Sequence, residues 1–151
     1  MLSKTIKDSL IQLKIEANGW EDAIRKSADP LLKEKMITEE YVGKIIEITK
    51  TAGPYIVITK HTALPHAPSN CGANKLAIGI TTLEIPVISG HLVNDPVKYL
   101  FCLSAPDNSS HLESLSNLVP LLDDENFFRV LDNASEPKEI LEYIKNKELE
   151  L

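Results

Sequence analysis

The chain has 151 residues, 43% of them apolar, with 22 acidic and 16 basic side chains and a net charge of -6; that is enough for one domain with a substantial core. Its basic residues are scattered, with no stripe that could release counterions from a phosphate backbone, so nucleic acid is not an expected partner. No run of about 18 apolar residues could span a bilayer and the start, Met1 to Asp8, is too polar for a secretion leader, so the expectation is a soluble, cytoplasmic protein.

Residues 9–16 alternate enough to predict a strand. Asn18 is placed to cap the helix that follows. In that helix Trp20, Ala23, Ile24, Leu31 and Leu32 share a face, while Glu21 and Asp22 favour its positive end. Pro30 lacks the N–H that an interior helical position needs, so the helix should bend there or split after Ala28. Thr38 caps a second helix with Tyr41, Val42, Ile45, Ile46 and Thr49 facing inward, and Gly53-Pro54 stops it. Residues 55–59 are β-branched and aromatic, which predicts a strand leading directly into the loop that holds Pro65, His66, Pro68, Asn70 and Gly72. Strands follow at 75–83 and 97–104, the second so continuously apolar that it belongs at the centre of a sheet covered on both faces. Helices at 109–122, 124–131 and 135–147 complete the chain, the last opened by Pro137 near its first helical position. No repeat or linker divides the sequence. The expectation is a single α/β domain over residues 1–151, a mixed β-sheet flanked by helices on both sides.

Two histidines carry the chemical reading. An imidazole, with a reference pKa near 6.5, keeps a neutral nitrogen lone pair at cellular pH and accepts a phosphoryl group more readily than a carboxylate or an unactivated hydroxyl. His66 sits in a loop, its backbone restricted by Pro65, with Ala63, Leu64, Ala67 and Pro68 forming an apolar apron suited to docking another protein. His111 follows the cap-rich run Asp107-Asn108-Ser109-Ser110, which places it in the first turn of a helix, where unpaired N–H groups and the helix dipole favour an anion. Its spacing to Leu115, Leu118 and Leu122 turns the ring inward. If the fold brings the two together, His111 can donate a hydrogen bond to a phosphoryl oxygen on His66.

Plainer readings compete. His66 can be a polar surface residue, and His111 an inward imidazole satisfied by a backbone carbonyl. His61 and His91 have no organised setting and read as surface residues. The four histidines lack the spacing of a zinc site, so a metal is not expected. Cys102 lies in an apolar run where a small thiol packs well, and nothing near Cys71 lowers its pKa, so both read as free thiols. Asp123-Asp124-Glu125 reads as a helix cap with a solvated face.

These residues, in this order, resemble a family. Gly53-Pro54-Tyr55-Ile56-Val57-Ile58 followed by Ala63-Leu64-Pro65-His66 is similar to the active-site region of the enzyme IIA components of the bacterial phosphoenolpyruvate-dependent sugar phosphotransferase system, in the mannitol and fructose superfamily. Trp20-Glu21-Asp22-Ala23-Ile24, Tyr41, and His111-Leu112 with Leu115 and Leu118 extend the likeness over nearly the whole chain. Asn94-Asp95-Pro96-Val97 and Asp124-Glu125-Asn126-Phe127 resemble the ascorbate-type branch more than the mannitol type. The resemblance implies a phosphotransferase in which His66 takes a phosphoryl group from the carrier protein HPr, through its outer ring nitrogen, and yields it to a cysteine of the enzyme IIB component. The sugar itself would enter through a membrane enzyme IIC permease, His111 would be the stabilising partner of His66, and no metal or organic cofactor is implied. It equally admits a regulatory module whose phosphohistidine signals to a partner protein. A small hydrolase using Cys71 and His66 is the third reading.

Two departures stand out. Members often carry glycine after the phosphorylated histidine, and ascorbate-type members often follow it with arginine, where this chain has Ala67 and Pro68. Its only arginines are Arg25 and Arg129, so the arginine that some mannitol-type members place near the phosphate has no counterpart in the helix ending near Thr51. Backbone N–H groups, His111 and Lys60 or Lys75 are then the candidates to offset the phosphoryl charge.

Overall fold

In the computed structural model, which describes residues 2–150, five strands form one mixed sheet. They are β1 (Ile11–Ile15), β2 (Val57–Thr59), β3 (Thr62–Ala63), β4 (Ala77–Val87) and β5 (Val97–Ser104), in the spatial order β1-β4-β5-β3-β2. The helices are α1 (Leu2–Thr5), α2 (Trp20–Lys33), α3 (Glu39–Ala52), α4 (Asn108–Leu122), α5 (Glu125–Asn133) and α6 (Pro137–Glu150). β5 is central, antiparallel to β4 and parallel to β3, as its continuous apolar run predicts.

Two cores lie on opposite faces of the sheet because side chains alternate along a strand. Tyr99, Phe101 and Leu103 of β5 join Ile78 and Ile80 of β4 in one core, closed by Leu118, Phe127, Leu131 and Ile140 from the C-terminal helices. Leu100 and Cys102 enter the other, with Ile24 and Leu31 of α2 and Tyr41 and Ile45 of α3. Gly79 permits the close approach of α2: a Cβ there would lie 2.6 Å from Leu31 Cδ1.

The helices follow the sequence pattern closely. Thr38 caps α3, accepting from the Tyr41 N–H, and the five predicted inward residues of that helix are all buried. Pro137 is the first residue of α6.

Three expectations need correction. α2 does not split after Ala28; it runs on through Pro30 to Lys33. The Lys26 carbonyl, which would have met the missing N–H of Pro30, accepts instead from Gln12 Nε2 at 2.8 Å, so β1 supplies the hydrogen bond that proline cannot. Asn18 does not cap α2. Gly19 occupies the cap position with φ 101°, and Asp22 reaches back to accept from the Asn18 N–H at 2.8 Å. The strand expected at 55–59 is shorter, because Tyr55 N and Val57 N donate to Gly53 and Pro54 carbonyls in a tight turn. The chain then reverses through His61, at φ 63°, so β2 pairs antiparallel with β3 and it is β3 that leads into the histidine loop. The polar start, for which the sequence predicts no element, contains α1, whose Leu2 is buried under the C-terminal helices.

Candidate functional site

The histidine loop leaves β3 beside the C-terminal end of β5 and is held on every side. Leu64 N donates to the Ile56 carbonyl at 2.8 Å, and Leu103 N donates to the Pro65 carbonyl at 2.9 Å. The buried hydroxyl of Tyr41 accepts from Ala67 N at 3.1 Å and donates to the Leu103 carbonyl at 2.8 Å. From the other side Tyr55 donates to the His66 carbonyl at 3.2 Å, its ring edge-on to the imidazole at 5.8 Å. Burial raises the pKa of both phenols, so they stay protonated donors.

His66 Nδ1 lies 2.6 Å from the Leu64 carbonyl oxygen. A carbonyl oxygen only accepts, so Nδ1 carries the proton and the lone pair of the neutral ring is on Nε2.

α4 brings the second imidazole. Asp107 accepts from Ser110 N at 2.7 Å and caps the helix, as the cap-rich run predicts. The His111 ring is 5.3 Å from that of His66, centroid to centroid, tilted by 40°. Burial, and then the neighbouring His66, lower the His111 pKa below its ordinary value. The buried face of α4 runs through Ser114, Leu118 and Leu121, while Leu115 and Leu122 of the expected stripe are only half-buried. The ring therefore sits at the margin of the core, and not at the head of its apolar stripe.

Both histidines line a cleft of about 350 Å³ with Ile48, Tyr55, Ala67, Pro68, Ser69 and Asn108. The apron expected around His66 is largely absent from the surface: Ala63, Leu64 and Ala67 are buried. Only Pro68 of that set is exposed, and Tyr55 and Ile48 make the rest of the apolar wall. Neither Lys60 nor Lys75 lines the cleft. Of the arginines, Arg25 lies 3.4 Å from Glu21 and Arg129 lies 3.9 Å from Glu125, each one helical turn along its own helix.

The remaining candidates fall elsewhere. His61 and His91 are organised after all: His61 Nδ1 donates to the Pro96 carbonyl at 2.7 Å, and His91 Nδ1 accepts from Asn94 N at 3.0 Å. Both staple the turn beyond β4, distant in role from the cleft. Cys71 does not line the cleft, and burial pushes the Cys102 thiol up to about 12, which makes it inert at neutral pH. Asp124 caps α5 by accepting from Asn126 N at 3.0 Å. Among the described residues no group of three or more His, Cys, Asp or Glu side chains is arranged to hold a metal ion. Sequence reasoning missed Tyr55, Ser69, Asn108 and Ile48 as lining residues. Only the capping potential of Asn108 was visible, because the walls meet through the packing of α3 against the loop.

Residues 4–147 match the family model described as "Phosphoenolpyruvate-dependent sugar phosphotransferase system, EIIA 2". The chain is 35% identical over 144 residues to the mannitol-specific cryptic phosphotransferase enzyme IIA component of Escherichia coli K12, covering 95% of this chain and 97% of that one. The solution structure of that enzyme superimposes with a TM-score of 0.85 at 34% identity, over 96% of this chain and 98% of the other. The ascorbate-specific PTS system EIIA component of Salmonella typhimurium LT2 is 32% identical over 145 residues, 92% of this chain and 94% of its own. The fold also matches the enzyme IIA of the Escherichia coli complex of enzyme IIAMTL with phosphorylated enzyme IIBMTL, with a TM-score of 0.80 at 23% identity, over 93% and 99% of the two chains.

Proposed function

The chain belongs to the EIIA 2 family of the phosphoenolpyruvate-dependent sugar phosphotransferase system, a family of phosphotransferases, and from that premise we propose that His66 is its phosphoryl carrier. In this reading the protein works in the cytoplasm, taking the group from phosphorylated HPr and passing it to a cysteine of an enzyme IIB component, which serves a membrane IIC permease. The observation that carries it is the hydrogen bond from His66 Nδ1 to the Leu64 carbonyl, made beside the ring of His111 in an open cleft.

The geometry suits the chemistry. The Nε2 lone pair forms the bond to phosphorus while the bond from phosphorus to the donor nitrogen breaks, and that electron pair returns to the donor's ring. No proton has to leave His66, because the proton is already on Nδ1. The ring gains positive character as Nε2 bonds phosphorus, and the Leu64 carbonyl stabilises it through Nδ1–H. The same hydrogen bond keeps the ring a good leaving group for onward transfer to a thiolate. His111, neutral in the resting site, is a hydrogen-bond donor to the phosphoryl oxygens as charge spreads over them.

Ascorbate is the sugar this reading carries forward, on the Asn94 to Val97 and Asp124 to Phe127 segments. One relative is named for ascorbate and another for mannitol, so onward transfer is to be compared with IIB proteins of both systems.

Incubation with enzyme I, HPr and labelled phosphoenolpyruvate tests the assignment. Acid-labile label is expected on the wild type, none on His66→Ala, and slower but measurable labelling on His111→Ala. Label that persists in His66→Ala refutes the proposal.

A further inference from the structure

A phosphoryl group on His66 would bring a charge of about -1.5 to -2 and three acceptor oxygens into the cleft. No lysine or arginine lines it. α3 contributes Ile48 to the wall, and Lys44, one turn earlier on that helix, lies 3.5 Å from Glu47. An anion in this cleft therefore meets no lysine or arginine among the lining residues.

Two neutral donors besides His111 line the cleft. Ser69 opens the 3-10 turn Ser69–Cys71, three residues beyond His66, and Asn108 is the first residue of α4, three residues before His111. Among the described residues neither the Ser69 hydroxyl nor the Asn108 carboxamide is engaged in a hydrogen bond, although their neighbours Asp107 and Ser110 are. A polar side chain without a partner at the wall of a largely apolar cleft is free to serve a ligand there.

We propose that Ser69 and Asn108 are phosphoryl-binding residues, the Ser69 hydroxyl and the Asn108 amide donating to phosphoryl oxygens on His66 in place of a cation. This rests on His66 being the phosphoryl acceptor. Neutral donors orient the group and stabilise the oxygens without cancelling their charge.

Hydrogen bonds to charged groups are worth about 10- to 100-fold in an equilibrium or rate. Ser69→Ala and Asn108→Ala should each slow phosphoryl transfer onto His66 by about that factor, with the loss in kcat and the KM for phospho-HPr little changed. Ser69→Thr, which keeps the hydroxyl, should restore most of the rate. In the phosphorylated protein the ³¹P resonance of the phosphohistidine should move in each alanine variant. Rates and resonances equal to the wild type in both alanine variants overturn the proposal while leaving His66 as the carrier. If the wild type takes no label on His66, this proposal falls together with the assignment it rests on.

Discussion

His111 is pressed between the margin of the core and a second imidazole, and both surroundings oppose a positive charge on it. The consequence for stability has a definite sign. A histidine whose folded pKa lies below its unfolded value of about 6.5 binds its proton more readily in the unfolded chain, so stability falls as pH drops through 6.5 and levels off below the folded pKa. Comparing wild type with His111→Gln isolates this effect from the carboxylates, whose own losses begin lower. The melting temperature of the wild type is expected to fall more steeply between pH 7 and 5 than that of the variant; parallel curves would remove the argument. The placement of the ring near the start of α4 was readable from the cap-rich run before it. Its exact burial was not, because Ser114 and Leu121, and not Leu115 and Leu122, carry the packing of α4.

At the scale of elements, α3 and the histidine loop are joined by one phenol. Tyr41 is fully buried, and its hydroxyl links Ala67 N of the loop to the Leu103 carbonyl at the end of β5. Tyr41→Phe preserves the packing but leaves a buried N–H and a buried carbonyl unpaired, a loss of about 1–3 kcal/mol. Chemical denaturation should register that loss, with labelling of His66 slowed as the loop loosens. The apolar period of α3 placed Tyr41 in the core; nothing in the sequence announced what its hydroxyl would hold. Caps and periodicity located the long helices well because those signals are local. Pro30 misled for the opposite reason: the donor that replaces its missing N–H is Gln12, on another element. The hairpin of β2 and β3 escaped notice because a turn built on the positive φ of His61 has none of the usual Asn-Gly or Gly-Asn markers.

For the whole molecule the decisive arrangement is a single sheet shared by two cores. β5 gives Phe101 to one face and Leu100 and Cys102 to the other, so damage on one face must reach the opposite one through the strand. Phe101→Ala removes a fully buried ring and should cost about 3–5 kcal/mol. Trp20, the only tryptophan, packs against the other core. Its fluorescence and the far-UV circular dichroism should nonetheless shift together to lower denaturant, since a shared sheet unfolds as one unit. Separated transitions would mean that the faces are independent. The architecture of helices on both sides of a mixed sheet followed from the order of segments. The meeting of His66 with His111 followed less directly. It depends on β3 lying parallel to β5, so that the loop leaving one and the helix leaving the other emerge at the same end.

The acceptor that orients His66 is a main-chain oxygen only two residues upstream. Point mutation cannot delete it, and exchanging the side chain at position 64 leaves it in place. Ring tautomer is thus a property of loop shape, in contrast to sites where a carboxylate sets it and one substitution erases it. Whatever loosens the loop's four anchors would scramble which ring nitrogen carries the proton without touching either histidine.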